Sequence, residues 1–252
     1  MLNLVLCGAS GRMGRQVMQA ASEQDDLKIV ATLDRDKAET TDVPQFAGAG
    51  ALLEAGIDYD VLLDFSHPSA LPMVLELSRS KPRPLVVATT GYSEAQTREL
   101  QTLAGDLALL VDANMSRGVH LLTRLVREAA AGLWPDYDIE IVEQHHRRKK
   151  DAPSGTALKL AAAAQSGMNV TADIVTDRSA RHNARPEAEI GISSVRGGNI
   201  SGIHDVIFAG QQETLTLSHE ALSPVVFALG ALDACRWIKD RPAGSYTVDD
   251  LL

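Results

Sequence analysis

LNLVLCGASGRMGRQV, residues 2–17, decides how the first half of the chain is read. LNLVLC lacks the polar alternation of a half-exposed strand, so it reads as a strand buried on both faces, as in a parallel sheet. Gly8, Gly11 and Gly14 then follow at G-x-x-G-x-x-G spacing and open a helix. Glycine lets a backbone turn tightly and approach another group without a Cβ in the way. A helix start offers N–H groups and the positive dipole end to an anion. Directly after a strand, this is where a dinucleotide pyrophosphate docks. The spacing differs from the usual G-x-G-x-x-G, but Asp34 ends the second apolar run twenty residues beyond Gly14, where an acid can accept from ribose hydroxyls. Arg35 beside it offers a guanidinium to a 2′-phosphate. The pair predicts use of either NADH or NADPH. A plain strand–turn–helix with packing glycines is the alternative.

Working outward, LKIVATL (27–33), DVLLDF (60–65), PLVVAT (84–89) and LALLVD (107–112) read as further buried strands, with helices near 12–23, 68–80 and 93–104. Such alternation predicts a parallel sheet covered by helices on both sides. Residues 36–58 are weakly patterned. Two loops at carboxyl ends of strands, ATTGY (88–92) and DANMSRG (112–118), offer Thr89, Thr90 and Asn114 to a nicotinamide or ribose; His67 in DFSHPSA is a further cleft candidate. Beyond residue 115 the pattern changes. A helix is predicted over 117–131, and YDIEIVE (137–143), AEIGISSV (188–195) and ETLTLSH (213–219) alternate with period two, with DVIFAG (205–210) a further short strand. Half-polar strands suit an open antiparallel or mixed sheet with one covered face. SPVVFALGALDACRWIK (223–239) is a helix apolar around most of its girth, able to cross back onto the first domain. The expected fold is α/β: an N-terminal Rossmann-type parallel sheet (1–115 with 223–252) plus a smaller α+β domain with an open mixed sheet (116–222), hinged near 113–118 and 220–224.

The chain has 252 residues, 45% of them hydrophobic and 23% charged, enough for sizeable cores. A net charge of −9 argues against general nucleic-acid or membrane-surface binding. No apolar run nears the roughly 18 residues of a membrane helix, and the opening residues lack the basic region of a signal peptide. Cys7 and Cys235 sit in apolar patterns, which predicts two buried reduced thiols rather than a disulfide. A soluble cytoplasmic protein is expected.

One stretch runs against the acidic balance. EQHHRRKKDAPSGTA (143–157) places His145, His146, Arg147, Arg148, Lys149 and Lys150 in a row. They fill a loop between a strand and a helix predicted over SGTALKLAAAAQSG, with Ser154 as N-cap, Gly155 and Thr156 in the first turn and Gly167 closing it. Helix N–H groups, the Thr156 hydroxyl and nearby histidines and lysine suit a small carboxylate-bearing substrate and proton delivery to it. A solvated charged face accounts for Arg148 and Lys150 but not for two adjacent histidines entering an anion-binding helix start. A nucleic-acid patch lacks interleaved aromatics.

This stretch resembles the E-x-H-H-x-x-K-x-D-A-P-S-G-T-A signature of the 4-hydroxy-tetrahydrodipicolinate reductase (dihydrodipicolinate reductase) family. GASGRMGR, the ATTG and AN segments and SVRGG (194–198) extend the resemblance over nearly the whole chain. It implies a cytoplasmic NADH- or NADPH-dependent oxidoreductase of lysine and diaminopimelate biosynthesis, a homotetramer acting on a small dicarboxylate, with no metal. It also implies His145 and Lys149 as catalytic, without deciding which delivers the proton, and His146, Gly155 and Thr156 as substrate binders. Cofactor contacts match Gly8, Ala9, Ser10, Gly11, Arg12 and Met13, then Asp34 and Arg35, then Ala88, Thr89 and Thr90, and finally Asp112, Ala113, Asn114 and Met115. The chain departs from the family at Ala88 (usually glycine), at Ile203 (usually glutamate) and near Pro224 (usually an arginine); none of these touches the histidine–lysine signature. A semialdehyde-type Rossmann dehydrogenase would need a catalytic cysteine, which neither Cys7 nor Cys235 is placed to be. A non-catalytic NAD(P) sensor would not need the His-His-Lys set.

Overall fold

The computed structural model describes residues 1–35 and 42–252. Two compact units emerge: Met1–Arg117 with Pro224–Leu252, and Gly118–Ser223. The first begins with β1 (Leu2–Cys7), α1 (Arg12–Ser22), β2 (Leu27–Leu33), β3 (Gln45–Phe46), α2 (Ala49–Glu54), β4 (Val61–Asp64), α3 (Leu71–Ser80), β5 (Leu85–Val87), α4 (Glu94–Gln101) and β6 (Ala108–Val111). Of the weakly patterned stretch 36–58, residues 36–41 lie outside the described residues, and the rest supplies β3 and α2. The α4 start carries a capping box between Ser93 and Gln96, which fixes where that helix begins.

The second unit holds α5 (Arg117–Leu133), β7 (Asp138–His145), α6 (Gly155–Met168), β8 (Asp173–Val175), β9 (Glu189–Arg196), β10 (Ile203–Ala209) and β11 (Thr214–Glu220). Its sheet runs β11-β10-β7-β9-β8. β7 and β8 pair with β9 in parallel, while β10 is antiparallel to β7 and β11, so the sheet is mixed. Ile139, Ile141, Ile190, Ile192, Val206 and Phe208 from the strands pack with Leu122 and Val126 of α5 and Leu160, Ala161 and Ala164 of α6. Each fully buried aliphatic side chain of this kind contributes roughly 1.5–3 kcal/mol.

The chain then returns to the first unit with α7 (Val225–Ile238) and β12 (Gly244–Tyr246). The completed sheet is all parallel in the order β12-β6-β5-β4-β1-β2-β3. Leu2, Leu4 and Leu6 of β1 enter one core with Val17 of α1 and Ala231, Leu232 and Cys235 of α7. Val5 and Cys7 enter the core on the other face, with Leu71, Val74 and Leu77 of α3. Both thiols are free, buried and in different cores. Burial pushes both thiols up, Cys7 further by the Asp64 charge.

One sequence reading needs correction. Gly167 does not close α6; the helix continues to Met168, and Asn169, with φ 54°, takes the left-handed end position. Gly167 serves packing instead: a Cβ there would lie 2.2 Å from the Arg127 carbonyl oxygen of α5. The short edge strands β8 and β12 were not anticipated.

Gly167→Ala therefore sets two effects against each other. Alanine favours a helix by about 1 kcal/mol over glycine, whereas overpacking against a backbone carbonyl costs roughly 1–3 kcal/mol or more. The clash wins, and urea unfolding should show net destabilisation; an unchanged or raised midpoint would place α5 and α6 further apart.

Candidate functional site

In the first unit the sheet order reverses between β1 and β4, which pair although β2 and β3 intervene in sequence. Open α/β sheets bind ligands outside the carboxyl ends of strands at such a reversal. Gly8 follows β1 with φ +90°, and a Cβ there would meet the Phe65 carbonyl oxygen at 2.5 Å. A Cβ on Gly14 would meet the Gly8 carbonyl oxygen at 2.0 Å, so this cradle accepts only glycine at both positions. Gly11 is the N-cap of α1 and brings no side chain to its N–H groups, which leaves them for an anion.

Asp34 Oδ2 accepts from Ser10 N–H at 2.8 Å. Arg35 Nη2 donates to Ser69 Oγ at 2.6 Å, and Ser69 N–H donates to His67 Nδ1 at 3.2 Å. Gly8, Ser10, Gly11, Asp34, Arg35 and His67 line one cavity. The donor set, the glycine cradle and the acidic group at the end of β2 fit a dinucleotide. Ser69 is an addition that sequence reasoning missed; only its neighbourhood to His67 hinted at it.

The remaining candidates separate. Arg12 is exposed at the start of α1, and Met13 is half-buried against the core. Ala9 and Met115 are core residues, 1% and 2% exposed, so their side chains are closed to a ligand. Ala88, Thr89 and Thr90 lie just past β5, and Asp112, Ala113, Asn114 and Met115 just past β6, outside the lining of that cavity. Thr89 is buried and its Oγ1 accepts from Ser66 N–H at 2.9 Å, whereas Thr90 is exposed. Buried Asp64 accepts from Ser66 N–H at 3.0 Å, Ser66 Oγ at 2.5 Å and Tyr92 Oη at 3.0 Å. Burial pushes its carboxyl up against those donors. Asp112 Oδ1 accepts from Asn114 N–H, and Asn114 Oδ1 from Ser116 N–H, at 3.1 and 2.9 Å, which fixes the loop after β6.

In the second unit the basic stretch occupies the end of β7 and the loop into α6. Ser154 caps α6, its Oγ accepting from Ala157 N–H at 3.1 Å. Gly155 has open space at its Cβ position. His145, His146 and Lys149 are half-buried, while Arg147, Arg148 and Lys150 are exposed, as the solvated-flank reading requires of the last two. Lys149 Nζ pairs with Asp151 at 2.8 Å.

The residue that organises this loop was missed. Glu143 is wholly buried; its Oε2 lies 2.6 Å from His145 Nδ1, and its Oε1 accepts from Ser154 N–H at 3.1 Å. Arg196 Nη2 and Nη1 grip both oxygens at 2.6 and 2.8 Å. Burial alone would raise the Glu143 carboxyl, but Arg196, Ser194 and His145 bring it down to about 2. Burial lowers His145, with Lys149 and Arg196 adding to the fall and Glu143 opposing it. His204 sits edge-on to His145, 5.1 Å between centroids, with Nε2 3.0 Å from Ser154 Oγ. Burial first, then the His145 charge, pushes His204 down to about 4.

A parallel sheet with a glycine cradle and an acidic β2 end, in one chain with a histidine–lysine loop at a helix start, defines a two-domain nicotinamide-dependent oxidoreductase. Family models described as dihydrodipicolinate reductase, N-terminus, and dihydrodipicolinate reductase, C-terminus, match residues 2–115 and 118–252. The chain belongs to the dihydrodipicolinate reductase family. Relatives named 4-hydroxy-tetrahydrodipicolinate reductase include one from Clostridium botulinum, 43% identical over 253 residues, covering 100% of this chain and 98% of the relative. Another from Zymomonas mobilis is 41% identical, covering 98% and 95%. The dipicolinate-bound dihydrodipicolinate reductase of Paenisporosarcina sp. TG-14 shares the fold, with TM-score 0.82 at 24% identity over the whole of both chains.

The depressed His204 links pH to stability. The unfolded histidine protonates near its ordinary 6.5, the folded one only near 4. Below 6.5 the unfolded state therefore binds the extra proton, so the stabilisation present above 6.5 is lost as pH falls toward 4. The loss is of order 2–3 kcal/mol. Urea midpoints of the wild type should fall across that window, and His204→Gln should flatten the fall; parallel curves would assign it to other groups.

Proposed function

We propose that this chain reduces 4-hydroxy-tetrahydrodipicolinate to tetrahydrodipicolinate with NADH or NADPH, in lysine and diaminopimelate biosynthesis. The observation that carries the assignment to this sequence's own chemistry is the convergence of His145 and the α6 start on one buried carboxylate, Glu143, with Lys149 held in the same loop by Asp151. Family membership and the names of the relatives support the substrate. The first unit is the dinucleotide-binding domain, and the second binds substrate and forms the oligomer.

Residue by residue, the reading runs as follows. The Gly155 and Thr156 N–H groups and the Thr156 hydroxyl receive one substrate carboxylate at the positive end of α6, with His146 beside them. Lys149, tethered by Asp151, brings an ammonium to the ring nitrogen, where negative charge develops before protonation. His145 presents Nε2, the nitrogen away from Glu143, as a second proton-carrying atom. In the first unit the backbone from Gly8 to Met13 holds the pyrophosphate, Asp34 the ribose, and Arg35 the 2′-phosphate. The segments 88–90 and 112–115 hold the nicotinamide half, Ala9 and Met115 through backbone only. The bound cofactor supplies the hydride.

The expected assembly is a homotetramer in the cytoplasm. It is supported by exposed Val195 and Leu215 on the strands of the second sheet, and by the lack among the described residues of a helix long and apolar enough to cross a membrane. Light scattering of the purified protein reads the assembly directly.

Two sets of variants test the reading by oxidation of NAD(P)H with freshly made substrate. His145→Ala and Lys149→Ala should each lower kcat by roughly 10²–10⁴-fold, with cofactor Kd retained, while Arg148→Ala and Lys150→Ala stay near wild type. Near-wild-type turnover in the first pair would reduce the basic loop to surface charge. Arg35→Ala should weaken NADPH by roughly 1.5–3 kcal/mol, the worth of a charge-assisted hydrogen bond, and largely spare NADH. Equal losses for both cofactors would remove Arg35 from the phosphate site.

A further inference from the structure

Taking His145 as part of the reaction, we infer that Glu143 is its positioning residue: the carboxylate holds the Nδ1 proton, so that Nε2 is the ring atom offered to the ligand. Four contacts fix the carboxylate itself. Arg196 grips both oxygens, Ser154 N–H donates to Oε1, and His145 Nδ1 meets Oε2 at 2.6 Å. A carboxylate can only accept, so a neutral His145 must carry its proton on Nδ1 in this pair.

The position is an unusual one for a charge. Glu143 continues the series Ile139, Ile141 on the inward face of β7, where an apolar side chain is the ordinary occupant. A buried ion pair seldom stabilises more than the apolar residues that would replace it. Stability alone therefore does not account for Glu143, whereas orientation of the neighbouring imidazole does. The rest of the surroundings limits the ring in the same sense. His204 packs edge-on against it at an interplanar angle of 75°. Gly202 carries no side chain, and a Cβ there would lie 3.2 Å from Nε2. Nδ1 is tethered and Nε2 is kept clear.

The charges facing His145 are Glu143 on its own strand, Arg196 on β9, Lys149 in the loop and His204 on β10; Asp151 reaches the ring only through its pairing with Lys149. Without the Glu143 charge, Lys149 and Arg196 act on the imidazole unopposed. Its titration must then move to lower pH, whether the protonated or the neutral ring is the active form. A residue that merely holds the fold would change the amount of folded enzyme and leave that titration where it was.

The test uses the full chain labelled with ¹⁵N-histidine and followed by NMR against pH, together with the pH profile of kcat/KM. In the wild type, neutral His145 should be the Nδ1–H tautomer. In Glu143→Gln its titration, and the matching limb of kcat/KM, should move down by about one pH unit or more, with kcat/KM lowered about 10²-fold. An Nε2–H tautomer in the wild type, or an unmoved titration in folded Glu143→Gln, would overturn the inference. Should Glu143→Gln fail to fold, the wild-type tautomer decides alone. Full turnover in His145→Ala, with the tautomer as expected, would instead overturn the catalytic assignment and the positioning role that depends on it.

Discussion

A carboxylate shut away from water must find all its partners within the protein, and Glu143 finds them on three segments. Arg196 reaches it from β9, the Ser154 amide from the start of α6, and His145 from two residues along its own strand. Arg196 also donates to the Asp151 carbonyl at 2.7 Å, which draws the basic loop into the same arrangement. Removing one partner of such a pair typically costs roughly 3–5 kcal/mol, because the other is left buried and uncompensated. The loop geometry, the helix start and the histidine orientation are thus consequences of one desolvated charge.

In the first unit the comparable constraint is steric. Gly8 and Gly14 bring three backbone segments within the distance a single Cβ would occupy. This approach sets α1 against the carboxyl end of β1, so the helix N–H groups, Asp34 and Arg35 border one cavity. A second desolvated carboxylate, Asp64, ties the ends of β4 and β5 together through Ser66, Thr89 and Tyr92. The first unit thus combines bare backbone with a buried carboxylate, whereas the second is organised around charge.

Much of this was legible in sequence because the signals were local. Near-continuous apolar runs gave β1, β2, β4 and β6, and period-two alternation gave β7, β9 and β11. The glycine spacing, Asp34 and the histidine–lysine run pointed to their elements directly. What escaped depended on distant partners. Gly167 looks like a helix end until Arg127, forty residues earlier, is seen against it. Glu143 was visible as a charge at an inward position of an alternating strand, but its meaning lies in Arg196, fifty-three residues away. Ala9 and Met115 fall inside motif matches, yet their side chains face the core. β8 and β12, three residues each at sheet edges, carry too little pattern to read.

The last helix gives the chain a particular order of events at the ribosome. α7 fills the core beside β1 with Ala228, Ala231, Leu232 and Cys235, and Gly230 lies against the Met115 carbonyl so closely that a Cβ would fall 1.9 Å from it. Residues 1–117 emerge first, but that face of their sheet is covered by α1 without α7 until the later residues follow. Gly118–Ser223, by contrast, is uninterrupted in sequence and needs no residue beyond Ser223. The nascent chain is thus able to complete its second unit before its first, the Leu4 and Leu6 side of β1 resting on α1 without α7 in the interval.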